Sequence, residues 1–238
     1  MPRTYSLNPS ALVAYNTTIV ARQPMLAQFT LESPSGRIAL VPPDQKYDRE
    51  VAVLRAHPGT RRYLSFFPEE QSLEDAIALR EGRKKEETCI DFVILFQPSS
   101  TDGVEQEPQF TGQTGLFHLD HTHKSCAAGI LIHPDFHRGG VATETLYLVL
   151  KLAFEDEKFK MHRVVFETSP RNVPMRGWLE SFGIPHEFTF REAWKTINKE
   201  QWEDVVGYCI LEKEWQETVK DRLEARVKRY VKAANPHS

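Results

Sequence analysis

The clearest periodicity in the chain begins at Val141, where Ala142, Leu146, Val149, Leu150 and Ala153 recur at helical spacing and predict a helix to about Glu155. Shorter runs around it are rich in β-branched and aromatic residues instead. Residues 90–96, 114–119, 125–132 and 163–168 read as strands, the middle two paired around a turn at 120–124. Residues 29–33 and 37–41 flank the turn signal Ser33-Pro-Ser-Gly36 and predict a hairpin or a bent first strand. Asp44 caps a helix running to about residue 55, which His57-Pro58-Gly59 breaks. Ser72-Leu-Glu-Asp75 has the form of a capping box before a helix through residue 84. Residues 98–113 read as a surface loop, 172–182 as a helix closed by Gly183, and 187–191 and 205–211 as late strands. From residue 213 a charged helix carries Trp215, Val219, Leu223, Val227 and Val231 on one stripe, which most often packs on its own domain and otherwise serves a partner or a homodimer.

This order predicts a mixed α/β domain over residues 28–215, preceded by an aperiodic arm (1–27) and followed by a helical extension (216–238). At 238 residues and 40% apolar content the chain can bury a sizeable core. A net charge of −3 argues against a nucleic-acid partner. No apolar run approaches the ~18 residues of a membrane span, and the basic residues of the last helix are interleaved with acids, so no membrane partner is expected. The three scattered cysteines, Cys89, Cys126 and Cys209, suit a reducing compartment, and a cytoplasmic location is expected.

The chemistry concentrates between Ile132 and Glu144. A strand ends at Ile132, Pro134 prevents its simple continuation, and Gly139-Gly140 turn the backbone into the helix that starts at Val141. The first amides of that helix have no internal acceptors and its dipole is positive there, so a pyrophosphate suits the place. Arg138 adds a charge-assisted contact, and small Ala142 permits close approach. Two adjacent glycines also serve as a plain connection. The segment is neither a P-loop nor a dinucleotide fingerprint.

The run from His137 to Ala142 resembles the acyl-CoA motif Q/R-x-x-G-x-G/A of the GCN5-related N-acetyltransferases (GNAT), with His137, Gly140 and Ala142 at its first, fourth and sixth positions. The flanking His-Pro-Asp and Ala-Thr-Glu are similar to the branch named after the ribosomal-protein acetyltransferases RimJ and RimL. Residues 37–42, 57–64, 172–183 and 208–215 are similar, in order, to further blocks of that branch. The resemblance implies the GNAT fold, a central, mostly antiparallel, splayed sheet flanked by helices. It implies acetyl-CoA as the cofactor, coenzyme A as product, and a primary amine as acceptor: a protein N-terminus, a polyamine or a small amine metabolite. Leu131, Ile132, His137, Arg138, Gly139, Gly140, Val141, Ala142, Thr143 and Asn172 are then the cofactor-binding residues. Asn172 also reads as a plain N-cap. His137 stands where the motif has Gln or Arg, Met175 replaces Ser or Ala, and Leu179 replaces the tyrosine that protonates the leaving thiolate in many members.

Glu167 is the first candidate for the base that frees the amine, and Asp91 the second. Both residue types are also commonly just solvated. His118-Leu-Asp-His121-Thr-His123 offers metal-ligand types but spans a strand end and turn without a second ligand pair, so no metal is expected. A non-catalytic acyl-CoA sensor or scaffold is the alternative to an enzyme, and an interaction module dominated by the N-terminal arm and C-terminal helix is a third reading.

Overall fold

Side-chain alternation in the central strands separates a thick helical layer from a thin one. The computed structural model describes residues 29–98, 106–197 and 200–234; the arm expected over 1–27 lies outside them. The elements are β1 (Leu31–Glu32), β2 (Ile38–Val41), α1 (Asp48–Ala56), α2 (Pro58–Arg61), α3 (Leu73–Arg83), β3 (Ile90–Phe96), β4 (Gln109–Asp120) and β5 (Ser125–Ile132), then α4 (Val141–Glu155), β6 (Arg163–Thr168), α5 (Val173–Ser181), β7 (His186–Lys195) and β8 (Trp202–Leu211). A short α6 (Glu212–Glu214), a π-helical turn (Trp215–Val219) and α7 (Lys220–Ala234) complete the order.

The strands form one sheet in the order β1-β2-β3-β4-β5-β6-β8-β7. Every pairing is antiparallel except β5 with β6. That parallel contact lasts only from Ser125–Arg163 to Ala127–Val165. Beyond it β5 follows β4 to Ile132, while β6 follows β8 to Thr168. The sheet therefore splays open between the ends of β5 and β6, as the resemblance implies.

Phe92, Ile94, Cys126, Ala128, Val164 and Phe166 face one side and join the main core beneath α4. Trp215, Val219, Leu223 and Val227 enter the same core, so α7 lies across α4 rather than apart from it. A small cluster of Val51, Ala52 and Ala76 packs α1 and α3 on the other side. Ser72 caps α3 in the expected box, its hydroxyl accepting from the Asp75 amide and the Asp75 carboxylate from the Ser72 amide.

Three expectations are corrected. The loop of residues 98–113 gives way to β4 at Gln109, because Phe110 pairs with Leu95 of β3 and packs inward, while buried Thr111, at a bulge, donates its hydroxyl to the Ile94 carbonyl. The breaker expected at 57–59 does end α1 at Ala56, but it also starts α2, which was not expected: Pro58 takes the first-turn place where its missing N–H costs nothing, and the His57 ring accepts from the Gly59 amide. The two late strands run longer than expected because they pair with each other past the core.

Burial pushes the Cys89, Cys126 and Cys209 thiols up to about 12. Native protein mixed with DTNB at pH 8 is therefore expected to release almost no chromophore, and denatured protein three equivalents. No helix among the described residues is long and apolar enough to cross a membrane.

Candidate active site

The strand-to-helix loop is held from several sides. After Ile132 the chain makes a single turn, Pro134–Phe136, and His137 folds back so that its Nε2–H donates to the Ile132 carbonyl at 3.0 Å. Histidine at this position thus pins the loop to the end of β5. Arg138 adopts a left-handed backbone (φ 64°) and is exposed. Gly140, the N-cap of α4, has φ 85°, a conformation that favours glycine.

Thr143 and Glu144 donate their amides to the Gly140 carbonyl, whereas the amides of Gly139, Gly140, Val141 and Ala142 find no acceptor among the described residues. Among the described residues no side chain caps this end. Four orphan donors at the positive end of a fifteen-residue helix, beside an exposed arginine, fit a pyrophosphate.

Beneath the loop lies a feature that the sequence pattern does not announce. Glu144 is fully buried in the first turn of α4, where its carboxylate receives Arg37 Nε at 3.0 Å, Arg37 Nη2 at 2.5 Å and the Ser35 hydroxyl. Arg37 Nη2 also donates to the Gly139 carbonyl at 3.0 Å. The β1–β2 hairpin thereby holds the loop through an ion pair 107 residues apart in sequence. Arg37 reads only as the start of a strand, and no local signal marks such a distant partner.

The splay supplies the rest. His133 donates its amide to the Thr111 carbonyl, and the Lys124 carbonyl accepts from His162 and Arg163. These bonds set the alternation along β5: odd-numbered residues bond β4, and even-numbered ones turn their backbone groups toward β6. Ile130 and Ile132 therefore face the opening. Leu131, expected to offer its backbone there, is turned to Gln113 of β4 instead. With the Ile132 carbonyl occupied by His137, its N–H is the group left facing the gap.

Two other expected cofactor residues are engaged within the chain. The Thr143 hydroxyl accepts Trp178 Nε1–H at 3.1 Å, locking α4 to α5. Asn172 caps α5 by accepting the Met175 amide, and its Nδ2 donates to the Thr168 hydroxyl. Val141 contributes its amide while its side chain is buried in the core.

The candidate bases separate. Glu167 lies two residues past the last β5–β6 pair, exposed and on the face opposite α4. Asp91 lies on that same face but two strands from the splay, bound to Arg83 at 3.0 Å. The structure brings Glu167 to the opening and not Asp91.

A strap, residues 57–66, runs from the end of β5 across to β7 and β8. On the β5 side the His57 ring stands 5.2 Å from that of His133, and Gly59 packs against Pro134. On the β7–β8 side the Ser65 hydroxyl donates to Glu203 at 2.7 Å, the Ser65 carbonyl accepts the Ile197 amide, and Phe66 meets Trp194. Buried Thr60 Oγ1 and Gln113 Oε1 have no hydrogen-bond partner among the described residues. Glu203 is held at the end of β6 by Arg171, Ser169 and Ser65. Burial raises its pKa, but these three partners outweigh burial and leave the carboxyl below its ordinary value. Leu179, in the place of the expected tyrosine, is fully buried. The His118–His123 segment runs from the last residues of β4 into a turn in which Asp120 accepts the Thr122 and His123 amides.

The fold recurs in solved structures. A presumed acetyltransferase from T. thermophilus is 28% identical, with a TM-score of 0.64 over 80% of this chain and 93% of that one. RimJ of Mycobacterium smegmatis, in complex with CoA-disulfide, is 20% identical, with a TM-score of 0.66 over 83% of this chain and 93% of its own. A spermidine N-acetyltransferase from Vibrio cholerae, in complex with CoA and spermine, is 16% identical, with a TM-score of 0.63 over 76% of this chain and 99% of its own. No curated protein matches. The acetyltransferase (GNAT) domain model matches residues 37–185, from the arginine that holds the loop to the turn after α5, and on that match the chain belongs to the GNAT family of acetyl-CoA-dependent N-acetyltransferases.

Proposed function

We propose that this protein transfers the acetyl group of acetyl-CoA directly to a primary amine bound beneath the 57–66 strap. The observation that carries the reading is the set of four orphan amides at the N-terminus of α4, beside a sheet that opens at the same level. These amides and Arg138 hold the pyrophosphate, and the edge of β5 at Ile130 and Ile132 holds the pantetheine arm. The catalytic unit is taken as residues 28–215, with 216–238 as an extension whose helix α7 packs on it.

Acetyl-CoA supplies a thioester carbonyl open to attack by a neutral amine. An alkylammonium of pKa near ~10 must first lose a proton, and Glu167 accepts it, directly or through one water. The Ile132 N–H donates to the acyl oxygen from a fixed position. Leu179 offers no proton to the leaving sulfur, but a thiol of pKa near ~8.5 departs without an obligatory acid. Acceptors of the kind bound by the spermidine enzyme or by N-terminal acetyltransferases share this one requirement, a primary amine.

The test is calorimetric titration of acetyl-CoA into the wild type and into Ala142→Glu. A carboxylate in the first turn suits the helix dipole, so the variant should keep its melting temperature. It occupies the anion's place, so affinity should fall about 100-fold or more. Equal affinity in both proteins would remove the loop as the cofactor site. Thiol release with spermine, an amino acid and a short peptide then reports turnover. Binding without release for any amine would favour a non-catalytic sensor, the reading to which buried Leu179 points.

A further inference from the structure

The C-terminal helix reaches the cofactor loop. Tyr230 of α7 places its Cζ, Cε1 and Oη atoms 2.4–2.7 Å from where a β-carbon on Gly140 would stand. Its ring fills the notch that the glycine leaves. The Arg37 guanidinium lies 4.7 Å over the same ring, while its Nη2 holds the Gly139 carbonyl. Tyr230 therefore packs on the α-carbon of Gly140 and on the arginine that grips the preceding carbonyl. In a planar trans peptide the C=O and N–H point in opposite directions. Fixing the Gly139 carbonyl toward Arg37 turns the Gly140 N–H outward, among the orphan amides of the helix end.

We infer that Tyr230 is a positioning residue for the pyrophosphate site: through Gly140 and Arg37 it presets the peptide whose N–H receives a phosphate oxygen. The inference rests on the cofactor reading above and extends it to a residue outside the 37–185 match. Contact between α7 and α4 supports the placement, since the Tyr147 hydroxyl donates to Glu224 at 3.2 Å and Lys220 pairs with Glu155 at 2.9 Å. These bonds keep α7 in line along α4 as far as the loop.

The experiment compares wild type, Tyr230→Ala and Tyr230→Phe with two acetyl donors, acetyl-CoA and S-acetylpantetheine, which lacks the pyrophosphate. Tyr230→Ala should raise the acetyl-CoA KM about tenfold and weaken CoA binding by a similar factor. Its kcat should stay within about twofold, and kcat/KM for S-acetylpantetheine should match wild type. Tyr230→Phe keeps the ring and should behave as wild type. A lower melting temperature with unchanged CoA affinity, or equal losses with both donors, would overturn the assignment and leave Tyr230 as packing alone. Wild type that fails to bind CoA would instead overturn the cofactor reading on which the assignment rests.

Discussion

Replacing Arg37 by alanine is expected to lower the unfolding free energy by about 3–5 kcal/mol, the usual consequence of stranding one member of a buried ion pair. Glu144 is the stranded group. Its side chain has no exposure to solvent, and among the described residues only Ser35 would remain to hydrogen-bond its carboxylate. For a domain of this size the loss should appear as a fall in melting temperature of roughly 10 °C. A double variant, Arg37→Met with Glu144→Leu, removes both charges at similar volume and should recover most of that stability. Affinity for CoA should not recover with it, because the Gly139 carbonyl has lost its donor. Stability and binding thus separate in one cycle. A single Arg37→Ala variant within about 1 kcal/mol of wild type would show that the pair is not the clamp described here.

The cycle also marks where sequence reading stops. The loop is legible because its signals are local: a proline after a strand, two glycines, then an amphipathic run. The strands are legible because each carries its own alternation or apolar run. Arg37, Glu144 and Tyr230 are not, since their meaning depends on three elements distant in sequence meeting at one loop. Tyr230 sits beside the apolar stripe of a charged helix and looks like an ordinary interfacial aromatic. Asn172 and Thr143 stand out in the sequence, but their side chains serve α5, one as its cap and one as its tie to α4. Leu131 turns its backbone to β4, since in a strand a shift of one residue exchanges one neighbour for the other. The strap of residues 57–66 is invisible in the sequence because the contacts that build it, His57 on His133 and Ser65 on Glu203, join segments over seventy residues apart.

Glu167→Gln is expected to lower kcat/KM by about 10²–10³-fold while leaving the acetyl-CoA dissociation constant unchanged. Binding should survive because the side chain is on the face opposite α4, away from the loop. The pH profile distinguishes a lost base from a disturbed fold. Without an internal acceptor the reaction draws on the neutral amine supplied by bulk ionisation. The variant's rate should then climb close to tenfold per pH unit until it nears the amine's own pKa of about 10. Asp91→Asn provides the control: it breaks the ion pair with Arg83, so it should move stability rather than the slope of the profile. If Glu167→Gln turns over at the wild-type rate with the wild-type profile, Glu167 is a solvated carboxylate, and the proton leaves by a route that bypasses the end of β6.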